Sequence, residues 1–152
     1  MPGSDNPWHN EHHQRNAIMR GLGAAKDNDI VIVSDVDEIP RVEAVQALRA
    51  SDQPLFALRM PLYNFKFNYM RASPGQYDAW AMAARRTVLD TLLPNSLRDM
   101  RHSFHHAPYQ MINDGCQVIE HSGWHFGYFG DHAHLVDKAK NFSHQEIGRA
   151  HV

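Results

Sequence analysis

Cysteine, long apolar runs and surplus positive charge are all scarce in this chain, and each scarcity removes a class of protein. A single cysteine, Cys116, has no partner for an internal disulfide, which excludes the covalent framework of a small secreted domain and leaves the residue as a half-buried small hydrophobe. No stretch approaches the roughly 20 consecutive apolar residues of a membrane-spanning helix, and Met1-Pro2-Gly3-Ser4-Asp5-Asn6 is polar rather than signal-like. Lys and Arg number 15 against 17 Asp and Glu, so the formal net charge is -2 and there is no basic field of the kind that duplex DNA attracts. No nucleic-acid partner is expected.

Histidine, in contrast, is abundant. The 12 histidines gather in groups such as His12-His13, His105-His106, His121 with His125 and His132 with His134. Clustered imidazoles point toward a metal or phosphate site, although a single surface histidine needs no such explanation. The remaining balance, 43% hydrophobic and 21% charged, is that of one globular domain with one core.

Asp5 or Asn6 can cap a helix with Pro7 in its first turn, and Trp8 to Ala25 continues it with Ile18, Met19, Leu22 and Ala25 at helical spacing. Glu11 stands four residues before Arg15 on one face of that helix. Ile30-Val31-Ile32-Val33 is β-branched throughout, which predicts a strand buried on both faces of a parallel sheet. Pro40 is expected to open a helix reaching about Arg49, with Val42, Val45 and Leu48 inward. Leu55 to Met60, Leu62 to Tyr69 and Asp78 to Arg85 read as strands, and Thr87 to Leu93 as a short helix stopped by Pro94. Gln117 to Glu120 and Gly123 to Phe129 read as short strands, and His132 to Phe142 as a last helix. Helix followed by buried strand argues for α/β layering.

The acidic run Asp35-Val36-Asp37-Glu38 comes directly after the buried strand, at the edge where open α/β sheets place their ligands. Two aspartates one residue apart offer hard oxygen ligands that suit Mg2+ or Mn2+ when a diphosphate completes the coordination shell. Taken alone, such a turn is more often simply solvated. In His121-Ser122-Gly123-Trp124-His125, strand alternation puts both histidines on one face, and one imidazole at the metal is the expectation. Trp124 beside a glycine can stack on the apolar face of a sugar ring, and the same residues are also readable as an aromatic core strand.

In order along the chain, Glu11…Gln14-Arg15, then Asp29 through Ser34-Asp35-Val36-Asp37-Glu38-Ile39-Pro40, then Gly123-Trp124-His125-Phe126-Gly127-Tyr128-Phe129-Gly130, then Lys138…Phe142-Ser143-His144-Gln145-Glu146 resemble glycosyltransferase family 17. Its members include β-1,4-mannosyl-glycoprotein 4-β-N-acetylglucosaminyltransferases. The resemblance covers Trp8 to Glu146. It implies an α/β, GT-A-like (Rossmann-like) fold, a UDP-sugar donor, a carbohydrate acceptor, Mn2+ or Mg2+, and inversion at the anomeric carbon. It also implies Asp35 and Asp37 as metal ligands and donor contacts, His125 as the imidazole beside them, and Arg15 or Lys138 against the diphosphate. An inverting transfer needs a general base; Glu38 is the nominal choice, with Asp114, Glu120 and Glu146 as other carboxylates. Gly127 departs from the serine expected there. Such an enzyme would sit in the Golgi lumen of a eukaryote or the cytoplasm of a bacterium.

Two other readings compete. One is a haloacid-dehalogenase-type phosphatase with Asp35 as nucleophile and Gly130-Asp131 with Asp137 as a later acidic motif. The other is a non-enzymatic histidine-rich module for Zn2+ or Ni2+.

Residues 147–152, Ile-Gly-Arg-Ala-His-Val, are what the sequencing-adapter string ATCGGAAGAGCACACGTC encodes, and they read as a scar. Residues 1–146 then read as a partial glycosyltransferase domain, truncated at both ends, because the resembled family begins with further βα units. Leaving on the order of a few hundred Å² of apolar surface uncovered costs several kcal/mol. Residues 1–152 should therefore unfold at lower denaturant and bind UDP more weakly than a longer parent. Denaturant titration and calorimetry on both proteins check this, and equal midpoints with equal UDP affinity would refute the truncation.

Overall fold

The computed structural model describes residues 7–71, 77–104 and 115–141. Helix α1, Pro7–Asn16, has Pro7 in its first turn, where a missing N–H costs nothing. It tightens into a 3-10 segment, Ala17–Gly21, and stops short of the expected Ala25. Strand β1, Ile30–Val33, buries Val31 and Val33 while Ile30 and Ile32 stay half-buried. It pairs antiparallel with β4, Tyr77–Arg85, at one end of the sheet. The parallel, doubly covered strand expected here is thus corrected: a run in which every position is apolar carries no period, so it does not report which face is covered.

Pro40 ends strand β2, Glu38–Pro40, instead of opening a helix. Its missing N–H is tolerated because β2 is the other end of the sheet. Helix α2, Val42–Ala50, buries Ala44 and Leu48 and leaves Val42 exposed. Strand β3, Leu55–Phe65, runs unbroken through Pro61, where two strands were expected.

The sheet is organised about β3. One edge pairs antiparallel with β4. The other edge is shared in parallel by β5, Cys116–Ile119, against Leu55 to Leu58, and by β6, Gly123–Phe129, against Leu62 to Phe65. Strand β2 then pairs antiparallel with β6. The sheet is mixed rather than mainly parallel, and the α/β layering expected from the sequence is present. Pro94 starts helix α3, Pro94–Asp99, rather than ending one, and α4, Arg101–Phe104, follows after a single helical residue. Helix α5, His132–Asn141, closes the described chain, with the Asp131 carboxylate accepting from the His134 N–H at 2.9 Å as its cap.

One core cluster holds Val31, Val33, Leu55, Ala57, Met82, Leu97 and Cys116, and the other holds Leu48, Phe56, Leu58 and Met60. Cys116 is fully rather than half buried, and burial pushes its thiol up to about 12. No described helix is long and apolar enough to cross a membrane.

The β2–β6 pairing decides where the acidic turn sits, and Gly123 decides that pairing. A Cβ on Gly123 would lie 2.1 Å from the Ile39 carbonyl oxygen, a backbone atom that cannot yield without moving β2. Gly123→Ala should lower stability by about 1–3 kcal/mol and shift the emission of Trp124, which neighbours it. Denaturant unfolding followed by fluorescence checks this, and an unchanged midpoint would show that β2 relaxes freely.

Candidate functional site

The acidic turn between β1 and β2 is held by its own ends. The Glu38 N–H donates to the Asp35 carbonyl at 3.0 Å, and the Asp35 N–H donates to Glu38 Oε2 at 2.9 Å. Val36 is fully exposed at the tip, and the two aspartates on either side of it engage different partners.

Asp35 faces arginines. Arg98 Nη2 donates to Asp35 Oδ2 at 2.8 Å and also to Glu38 Oε1. Arg15, from α1, donates to Asp35 Oδ1 at 3.1 Å, to Glu11 at 2.9 Å and to Asn95 Oδ1 at 3.0 Å. Arg101 Nη1 stands 3.9 Å from Asp35 Oδ2 and 4.0 Å from Glu38 Oε1. Burial alone would raise the Asp35 carboxyl, but Arg98 and then Arg15 outweigh it and hold the group below the usual carboxylate range. At Glu38 burial wins over the Arg98 attraction and the carboxyl is raised. The Glu38 and Arg98 side chains are both 0% exposed. A general base must reach the acceptor hydroxyl, and an enclosed carboxylate bonded to a buried guanidinium does not meet that requirement. Glu38, the nominal base, is therefore enclosed against Arg98 in this structure.

Asp37 faces β6 and α5. Its Oδ1 lies 3.6 Å from His125 Nε2 and its Oδ2 3.3 Å from Lys138 Nζ, which also donates to the Gly127 carbonyl and lies 5.3 Å from the Tyr128 ring centroid. His125 is largely enclosed, with the Trp80 ring edge-on at 4.3 Å and Nδ1 without a hydrogen-bond partner among the described residues. Burial first of all, against the pull of Asp37, lowers its pKa to about 4, so the imidazole is neutral near pH 7.

Trp124 does not join these residues. It neighbours His125 on β6, so alternation sends it to the other face, where Arg41 lies 4.9 Å from its ring centroid. Among the described residues no three His, Cys, Asp or Glu side chains come together closely enough to hold a metal. Asp35 has both oxygens bonded to guanidinium groups. Asp37 and His125 do fit the ion: a carboxylate and a neutral imidazole face each other, and Mg2+ or Mn2+ commonly takes only one or two protein ligands beside substrate phosphates.

Sequence reasoning missed Arg98, Arg101, Asn95 and Trp80. The available signal was Pro94: taken as a first helical residue, it places Arg98 and Arg101 three apart on one helical face. Of the remaining candidates, Glu120 is an exposed partner of Arg59 at 2.9 Å. His105, His106, Asp114, His144, Glu146 and residues 147–152 lie outside the described residues. At Gly127 a Cβ would stand 3.0 Å from Leu62 Cδ1 and 3.2 Å from Asn64 Oδ1, so the serine expected there would need these neighbours to give way slightly, whereas glycine fits without it.

The family model described as glycosyltransferase family 17 matches residues 2–151. The chain belongs to glycosyltransferase family 17. No curated protein and no solved structure gives a match. A family 17 glycosyltransferase takes a sugar donor and an acceptor, and this sets aside the phosphatase reading. Its later acidic motif is here a helix cap, Asp131, which is fully exposed and held below the usual range first by the His134 backbone N–H.

In this glycosyltransferase, removing Arg98 would leave the Glu38 charge buried without its partner. Arg98→Met should cost about 3–5 kcal/mol, and adding Glu38→Leu should restore most of it by removing the orphaned charge. Urea unfolding of the single and double variants checks this, and a neutral Arg98→Met would refute the dependence of the turn on this pair.

Proposed function

We propose that this glycosyltransferase transfers N-acetylglucosamine from UDP-N-acetylglucosamine to a glycan acceptor with inversion, using Mn2+ or Mg2+ held by Asp37 and His125. The supporting observation is the facing pair itself: Asp37 Oδ1 and His125 Nε2 are 3.6 Å apart. Bound there, the ion would supply Lewis-acid neutralisation of the departing nucleoside diphosphate. The chain's own residues do the rest. His125 stays neutral because it is enclosed, which leaves Nε2 available to a ligand. Lys138, tethered to the Gly127 carbonyl, holds a positive charge beside Asp37 for a phosphoryl oxygen. Asp35 acts as the anchor that orients the turn through Arg15 and Arg98, and Glu38 as the enclosed partner that completes the anchor. The reading of a histidine-rich metal module has no supporting cluster among the described residues.

Asp37→Ala should remove several kcal/mol of transition-state stabilisation, at least about a hundredfold in rate, while leaving the circular dichroism of the fold unchanged. Release of UDP from UDP-N-acetylglucosamine in the presence of acceptor glycans, with excess chelator and then with Mn2+ restored, is the measurement. Full activity in chelator, or an undiminished Asp37→Ala enzyme, would overturn the reading.

A further inference from the structure

The arginines around the acidic turn are not equally occupied. Arg15 is committed to three acceptors, on Glu11, Asp35 and Asn95. Arg98 uses one nitrogen, Nη2, for both Asp35 and Glu38, while its Nε and Nη1 are enclosed and have no partner among the described residues. Arg101 is held at longer range. Its nearest anionic oxygens among the described residues are at 3.9 and 4.0 Å, beyond hydrogen-bond distance, and its Nε is buried with no partner among those residues. A guanidinium is a planar fork of five donors, and a buried donor left unpaired is costly unless an acceptor arrives. Arg98 and Arg101 flank the same two carboxylates, so the unused donors belong to one locus. Arg101 remains 20% exposed and Asp35 43% exposed, so this locus opens to solvent on the side where Asp35 and Arg101 meet. Lys138, in contrast, is already tied to Asp37 and the Gly127 carbonyl.

We propose that Arg101, backed by the enclosed Arg98, forms a phosphoryl-oxygen site that receives the diphosphate of the sugar-nucleotide donor. The assignment rests on the transferase reading above and deepens it by naming the residue that grips the donor's anion. Planar donors of this kind match phosphate oxygens in a bidentate manner, which a lysine does not reproduce.

Calorimetry on the full-length enzyme with UDP, with inorganic pyrophosphate and with uridine tests the site. Arg101→Gln should weaken UDP and pyrophosphate by roughly tenfold to a hundredfold, the range of charge-assisted hydrogen bonds, and leave uridine unmoved. Arg101→Lys should recover only part, and the donor KM should rise more than kcat falls. Should the variants fold poorly, phenylglyoxal modification of the wild type read by mass spectrometry serves instead, with pyrophosphate expected to protect Arg101. Undiminished UDP binding by a folded Arg101→Gln, or no protection, overturns the site while leaving the transferase reading intact. Pyrophosphate binding that depends on Arg101 without sugar transfer would uphold the anion site and overturn the transferase reading. A wild type that binds neither UDP nor pyrophosphate overturns the site.

Discussion

A single enclosed guanidinium, that of Arg98, joins the end of the acidic turn to the body of the domain. Taking a charge from water into the interior is expensive, and arginine is almost never fully buried unless it is paired. Here the pairing is double, to Asp35 and Glu38, and the two carboxylates lie on either side of the turn that bears Asp37. The benefit of such a pair is geometric more than energetic. With Asp35 and Glu38 clamped to one group, the residues between them have few conformations left, and Asp37 is presented toward β6, where its carbonyl accepts from the Phe126 N–H at 2.8 Å and its carboxylate from Lys138 Nζ at 3.3 Å.

That arrangement divides the two aspartates of the motif between different tasks. Asp35, facing three arginines, is an anchor with a lowered carboxyl pKa. Asp37 faces a neutral imidazole and a lysine. The division depends on strand register. Glu38 lies opposite His125 because Ile39 pairs with Trp124 and Pro40 with Gly123, and the last pair is close enough that only a glycine fits. A slip of one residue would send His125 to the outer face and bring Trp124 inward. The polar locus around Arg98 and the facing pair of Asp37 and His125 therefore lie side by side.

Several elements were legible from local pattern. Ile30–Val33, the β4 segment, the β6 segment and the final helix appear close to where their β-branched, aromatic or helical spacing puts them. Three of the misread positions involve a proline. Pro40 ends a strand, Pro61 sits within one, and Pro94 begins a helix. Proline removes one donor and fixes one dihedral, but whether that ends an element depends on whether a neighbour needed the N–H. The neighbour is a tertiary fact.

By itself the sequence determined the family, the α/β layering, the place of the acidic run after a buried strand and the pairing of Glu11 with Arg15, because these rest on contiguous residues and short periods. Only the tertiary structure decided that β1 is an antiparallel end strand, that Asp35 is bound by arginines from two distant helices, that Glu38 is enclosed and that Trp124 and His125 face apart. The physical reason is common to all four. Each depends on which residue lies opposite across a sheet or on what an incoming helix places within about 3 Å, the reach of a hydrogen bond. Arg98 is 63 residues from Asp35, and no local spacing encodes that meeting.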